Sequence, residues 1–408
     1  MSTFDPHSIR ADFPILAQEI NGKPLVYLDN AATSQTPQQV VSASVDYYSR
    51  INSNIHRGAH KLAREATLAH EQARGTIARH LNSQYEHEII FTSGTTDGIN
   101  LVANTLTLSG KISTGDSVII SGLEHHSNIV PWQMLCERTG AQLKVIPVLD
   151  NGTLDMEAFH NLLDDQVKVV AVSHVSNALG TINPVDTIIS AAKKHNALVL
   201  LDGAQATPHL KIDVQALGCD FYVFSGHKVY GPTGIGVLYG KEDILTELPP
   251  WRGGGEMIKE VSFEHTTYND LPFKYEAGTP DIEGGIALAA AIDYMNAIGM
   301  KNIAAHERAL QERATQALLE IDGIRLFGTA PEKAAVVSFL IGDIHHYDLG
   351  TLMDQMGIAL RTGHHCCQPL MARYGITGTA RASFAAYNTE EEVDAFISAV
   401  KKATMMLA

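Results

Sequence analysis

The sequence predicts an α/β fold: a largely parallel sheet with helices on both faces, followed by a smaller α+β domain. Three observations carry this. Short apolar runs alternate with helical patterns from Glu88 to Gly240, an order that gives parallel strands joined by crossover helices. After Gly285 that alternation stops and long helical patterns take over. Nearly every polar cluster follows a strand candidate directly, and ligands in open sheets sit beyond the carboxyl ends of the strands.

In chain order, the strand candidates are Glu88 to Phe91, Ser117 to Ser121, Val167 to Val172, Ala197 to Leu201 and Phe221 to Phe224. A sixth, Ile235 to Tyr239, follows a Gly-Pro-Thr-Gly turn. Helical patterns lie between several of them, such as Ile99 to Leu106 and Thr187 to Lys194. Beyond Gly285, Ile286 to Ala297 and Glu307 to Ile321 read as helices, Ala335 to Ile341 as a strand, and Glu390 to Met406 as a closing helix. An N-terminal helical piece is expected to pack near this second domain. No internal repeat, low-complexity tract or long linker interrupts the chain.

Composition narrows the function classes. The 408 residues carry 45 acids against 30 Lys and Arg, a formal net charge of -15. This argues against general affinity for nucleic acid or an anionic membrane, which needs a basic surface. No apolar run is long enough to span a bilayer, and the start, Met1 to His7, does not read as a secretory signal. Four cysteines in so long a chain, Cys136, Cys219, Cys366 and Cys367, fit free thiols in a reducing cytoplasm.

Six segments hold residue types that could carry chemistry. Thr92 to Gly98 joins a strand to a helix; small residues and hydroxyls there make an anion site from unpaired backbone N–H groups, with Thr95 and Thr96 as contacts. Simple N-capping uses the same residues. In Leu201-Asp-Gly-Ala-Gln205, an acid directly after an apolar strand needs a partner or solvent. A protonated pyridine nitrogen is one partner for Asp202, and a capped helix is the plainer use. In Ser225-Gly-His-Lys-Val-Tyr-Gly-Pro-Thr-Gly234, Lys228 lies between apolar runs and tight turns. A desolvated lysine has a lowered pKa and can form a Schiff base, flanked here by Ser225 and His227 as phosphate contacts; an exposed surface turn is the alternative.

His125, in Leu123-Glu-His-His-Ser-Asn128, could stack on an aromatic ring and shuttle protons, or its segment could be a turn whose histidines satisfy backbone groups. Arg361-Thr-Gly-His-His-Cys-Cys-Gln-Pro369 puts a cysteine beside His and Arg, a setting for a nucleophilic thiolate. A zinc site spaces its ligands out more widely, and a vicinal disulfide needs a strained ring and an oxidising compartment. In Arg381-Ala-Ser-Phe-Ala-Ala-Tyr-Asn388, Arg381 in a mostly apolar strand wants a planar anion. A substrate carboxylate and a structural salt bridge satisfy it equally.

Together these segments resemble the cysteine desulfurases of the fold-type I, class V aminotransferase-like enzymes that use pyridoxal 5′-phosphate, and most of all the Suf-type (group II) proteins that include selenocysteine lyase activity. The resemblance runs from Ala11-Asp-Phe-Pro14 and Tyr27-Leu-Asp-Asn-Ala-Ala32 to Tyr387-Asn-Thr389. It is carried by Asn54-Ile-His-Arg-Gly58, Glu124-His-His126, Asp202-Gly-Ala-Gln205, Ser225-Gly-His-Lys228, Glu276-Ala-Gly-Thr-Pro280 and Arg361-Thr-Gly-His-His-Cys366. By this resemblance Lys228 binds the cofactor's aldehyde, Asp202 faces the ring nitrogen, Gln205 the ring hydroxyl, and His125 stacks on the ring as acid or base. Thr95, Thr96, Ser225 and His227 hold the phosphate, and Thr279 reaches the phosphate of the neighbouring subunit in a homodimer. Asn177 and Arg381 bind substrate, with Arg361 near the nucleophile Cys366, which becomes the persulfide; no metal is expected.

The implied reaction converts L-cysteine to L-alanine and hands the sulfur onward for iron–sulfur clusters or other thio-cofactors, through an acceptor protein of SufE or SufU type. A selenocysteine lyase acting on L-selenocysteine, or another class V enzyme, is the alternative; a non-catalytic sulfur-assembly scaffold would keep the fold without the chemistry. The implied organisation is an N-terminal segment (1–22), a large cofactor-binding domain (23–294) and a small C-terminal domain (295–408) bearing the nucleophile. The sequence departs from the family at one point: Cys367 stands where a small residue usually follows the nucleophile. Trp251 to Met257 is expected to form a hairpin near the partner's site.

Overall fold

A computed structural model describes residues 4–407; the first three residues of the expected N-terminal segment and the last residue of the expected small domain lie outside the described residues. The centre is a seven-stranded sheet: β1 (Ile89–Thr92), β2 (Ser117–Ser121), β3 (Gln142–Ile146), β4 (Val167–Ser173), β5 (Leu198–Asp202), β6 (Phe221–Ser225) and β7 (Gly236–Gly240), in the spatial order β1-β7-β6-β5-β4-β2-β3. Strands β2 to β6 pair in parallel, and β7 runs antiparallel between β6 and β1.

Strand after strand is apolar on both sides because both faces are covered. Ile119, Val170, Leu201, Tyr222 and Phe224 enter one buried cluster, whereas Val118, Ile120, Ala171, Leu200 and Val223 enter another on the opposite face. Val-, Ile- and Phe-rich runs suit that doubly buried pleat. The expected strands lie within a residue or two of the observed ones. The edge strand β3 had no counterpart among them: its residues are mostly half-exposed or exposed, so its polar pattern lacks a core strand's apolar run. Nor did the 21-residue helix Lys61–Leu81, which packs against Ile282–Ile298.

The second region has its own sheet: β8 (Ile324–Phe327), β9 (Val336–Ile341), β10 (Arg361–Gly363) and β11 (Thr379–Ser383), antiparallel in the order β8-β9-β11-β10. Helices Met300–Leu319, His346–Gln355 and Glu390–Leu407 cover it around a separate core. The last helix starts at a capping box: the Glu392 N–H donates to Thr389 Oγ1 at 3.3 Å and the Thr389 N–H to Glu392 Oε2 at 3.1 Å. Three acids in its first turn complement the helix dipole. The short helix Pro6–Ala11 docks on it through an Arg10–Glu392 ion pair at 2.7 Å.

Residues 26–31 join the two sheets. Val26 pairs with Ile358, Asp29 with Ser383, and the Gln205 amide donates to the Ala31 carbonyl at 2.6 Å. The expected hairpin is displaced along the chain. Residues 251–257 form bends, and the hairpin is Ile258–Val261 with Thr266–Tyr268. Three consecutive glycines favour irregular turns over a ladder.

Candidate active site

Three neighbouring parallel strands end at one cavity. Ser173 closes β4, Asp202 closes β5 and Ser225 closes β6, and all three line a space of about 290 Å³. Lys228 follows β6 by three residues and enters the same space. The start of the helix Thr95–Ser109 adds Thr95 and Thr96. Its approach depends on glycine: Gly94 has φ 140°, and a Cβ on Gly236 of β7 would lie 2.4 Å from the Gly94 Cα. The Thr95 N–H donates to Ser225 Oγ at 2.8 Å, joining strand end and helix start.

The opposite wall comes from the small sheet and its loops: Arg361, His365, Cys366 and Arg381. Register places Arg361 directly across from Arg381, where like charges would repel. Asp29 resolves this by accepting from both, Arg361 at 2.9 Å and Arg381 at 3.2 Å. Two cations share one carboxylate, so the wall keeps a positive excess for an anion. Arg381 is 2% exposed; one of its NH2 groups donates to the Asn177 carbonyl at 2.8 Å, and its Nε is buried with no partner among the described residues. Arg381 lines the cavity with guanidinium donor capacity that the chain itself does not use up, which suits a carboxylate.

Burial sets the protonation states. The Lys228 ammonium is disfavoured by desolvation, partly offset by Asp202. Burial raises Asp202 above the usual carboxylate range. His125 is pushed down to about 4 by burial and by Lys228, and so is His227. The Ser127 N–H donates to His125 Nδ1 at 3.1 Å, so the neutral ring carries its proton on Nε2. Beneath it Glu124, 1% exposed, accepts from Asn128 at 2.7 Å and from the Ser173 N–H at 2.9 Å; burial lifts it to about 7.

Thirteen residues were expected at the site. Thr95, Thr96, His125, Asn177, Asp202, Gln205, Ser225, His227, Lys228, Arg361, Cys366 and Arg381 all line this one cavity. Thr279 does not; it lines a pocket with Trp251, Arg252 and Asp281. Residues in or behind the site that went unassigned include Asp29, Glu124, Ser127, Ser173 and His365. Asp29 and Glu124 stand in quoted motifs, but only the fold shows what they touch. The Asn177 amide has partners beyond substrate: Nδ2 donates to the His365 carbonyl at 2.7 Å, and Oδ1 accepts from the Cys367 thiol at 3.2 Å. One N–H and one lone pair remain for a ligand. Among the described residues no three His, Cys, Asp or Glu side chains converge to hold a metal ion.

Residues 26–396 match the aminotransferase class-V family. A probable cysteine desulfurase of Xylella fastidiosa is 50% identical over 403 residues, 99% of this chain and 96% of that one. A cysteine desulfurase of Salmonella agona is 50% identical over 406 residues, 99% of this chain and all of that one. The crystal structure of the Escherichia coli cysteine desulfurase CsdA, in an S-sulfonic acid form, superposes with a TM-score of 0.92 at 39% identity, covering all of both chains. The apo cysteine desulfurase from Thermococcus onnurineus gives 0.94 at 38% identity over all of both chains.

Proposed function

The chain belongs to the class-V aminotransferase family and, within it, to the cysteine desulfurases, and from that premise we propose how its residues divide the work. The enzyme depends on pyridoxal 5′-phosphate and acts on L-cysteine. The cavity's donor set suits that cofactor: a buried lysine with its ammonium disfavoured, a buried carboxyl on the adjacent strand, and hydroxyls at a helix start. Lys228 would hold the aldehyde, Asp202 the ring nitrogen, Gln205 the ring hydroxyl, and Thr95, Thr96, Ser225 and His227 the phosphate. When bound, the cofactor supplies an electron sink for the pair released at the substrate Cα.

Arg381 receives the substrate carboxylate through its guanidinium, with Arg361 and the remaining valences of Asn177 beside it. Lys228, neutral once substrate is seated, takes the Cα proton. His125 carries a proton on Nε2 and resists a second, which suits it to donate rather than to accept. The Cys366 thiolate attacks the substrate sulfur and becomes the persulfide as the substrate's Cβ–S bond breaks with its electron pair left on carbon; that carbon takes up a proton, and alanine leaves. Placing two sulfurs within one cavity supplies much of the rate.

Thr279 lies away from the central cavity, beside Trp251 and Arg252, which supports its use at a partner's phosphate in a homodimer. Docking of the helix Pro6–Ala11 on the C-terminal helix supports an N-terminal segment of 1–22 that packs with the small domain; we assign 23–294 to the cofactor domain and 295–408 to the nucleophile domain. Cys366 is half-exposed, which fits delivery of sulfur to an acceptor of SufE or SufU type, for iron–sulfur clusters or other thio-cofactors. Four free cysteines suit the reducing cytoplasm; no helix among the described residues is long and apolar enough to cross a membrane.

The observation that carries this reading is that Lys228 and Cys366, far apart along the chain, line one cavity. Intact-mass spectrometry after brief incubation with L-cysteine tests it. The expected result is one added sulfur, mapped to Cys366, with alanine released; alanine without any protein-bound sulfur would overturn the transfer step. Rates on cysteine against selenocysteine, with and without acceptor, settle substrate preference.

A further inference from the structure

Cys366 and Cys367 are adjacent in sequence and opposite in setting. Cys366 is half-exposed and lines the cavity; Cys367 is 0% exposed and does not. His365 and Cys366 both adopt left-handed backbone conformations, with φ 52° and 56°, uncommon for residues bearing a Cβ. Such a pair persists only where its surroundings hold it.

Three hydrogen bonds grip this backbone. The Cys366 N–H donates to His364 Nδ1 at 3.0 Å, and its carbonyl accepts from the His126 N–H at 2.8 Å. The third is the Asn177 Nδ2 donation to the His365 carbonyl at 2.7 Å, on the peptide that joins His365 to Cys366. An amide can turn over and exchange its oxygen and nitrogen. Here the Cys367 S–H, donating to Oδ1 at 3.2 Å, favours the orientation in which Nδ2 faces the His365 carbonyl. The flipped amide would set oxygen against oxygen. Burial pushes the Cys367 thiol up to about 12, which keeps it a donor across the physiological range.

We propose that Cys367 is a positioning residue: through Asn177 its S–H fixes the His365–Cys366 peptide and so the place of the Cys366 sulfur in the cavity. This rests on Cys366 as the sulfur acceptor. Cys367 itself takes no sulfur, because its thiol is out of the cavity and stays protonated.

The test compares Cys367→Ala, Cys367→Val and Cys367→Ser in the holoenzyme. Readouts are cofactor absorbance, KM for cysteine, and the single-turnover rate of persulfide formation, with the modified thiol mapped. Loss of one neutral hydrogen bond corresponds to roughly a three- to tenfold change. The Ala and Val variants are therefore expected to form persulfide about three- to tenfold more slowly, with KM and absorbance unchanged, and Ser to recover the rate to within about twofold. Ser no faster than Val would overturn the proposal, as would Ala or Val at the parental rate. If Ala or Val does not yield holoenzyme, the other is compared with Ser under the same criterion. Persulfide mapped to Cys367 would instead overturn the assignment of the acceptor; equal rates with sulfur on Cys366 overturn this inference alone.

Discussion

The two walls of the cavity are built on different principles. The wall at the ends of β4, β5 and β6 is part of the main core: Asp202 and Ser225 are 5% and 6% exposed, and their backbones are locked in sheet register. The facing wall joins two strands of the small sheet, whose Arg361 and Arg381 share Asp29, to a loop held by hydrogen bonds with a left-handed backbone at His365 and Cys366. The first wall suits a group that stays bound, because buried charges are fixed by what surrounds them. The second suits a thiol open to the cavity and to solvent, as the proposed transfer from substrate to Cys366 requires. Burial thus fixes the wall proposed for the cofactor, and hydrogen bonds place the loop proposed for the nucleophile.

Substitutions on each wall should separate these roles. The largest effect is expected at Lys228→Ala: turnover falls by roughly a thousandfold or more, as for loss of an acid–base group, together with the visible absorbance of the lysine-bound cofactor. Ordinary rates in that variant would break the comparison. Next, Cys366→Ala should keep the absorbance and abolish added sulfur in the mass spectrum; loss of colour here would mean that the walls do not act separately. Arg381→Lys should raise KM for cysteine by about tenfold or more, since a charged hydrogen bond is worth about 1.5–3 kcal/mol, while leaving the absorbance in place.

The smallest effect is a pH dependence on the cofactor wall. His125, His227 and His174, the residue that follows Ser173 at the end of β4, are each held down to about 4, chiefly by burial. A folded-state pKa below the unfolded one gives stability that is full above about 6.5 and lost as pH falls towards 4. Glu124, raised to about 7 by burial, acts the other way, losing stability as pH rises from its unfolded value towards 7. Asp202, also raised by burial, acts with Glu124, and three groups against two still predict a lower urea midpoint at pH 5 than at pH 7. His174→Gln should shrink that difference; an unchanged difference would remove this histidine from the account.

The cofactor wall was the more legible in sequence. Its residues fall just after apolar strands, so the strand pattern alone locates Asp202, Ser225 and Lys228. The nucleophile wall was legible as a motif but not as a geometry. Nothing local in Arg361 to Pro369 says that Cys366 faces the cavity and Cys367 the core, because that choice is made by two positive φ values held by His126, His364 and Asn177. Asp29 was hidden for the same reason: its partners are Arg361 and Arg381, over 300 residues away.

Apolar period and turn residues by themselves determined the doubly covered parallel sheet and the break to a second sheet, since burial demand is written locally. Which donors converge, which cysteine is sealed, and which arginine nitrogen is left without a partner were decided only when the chain closed on itself. Hydrogen-bond partners and desolvation belong to the whole packed molecule and not to any one segment of it.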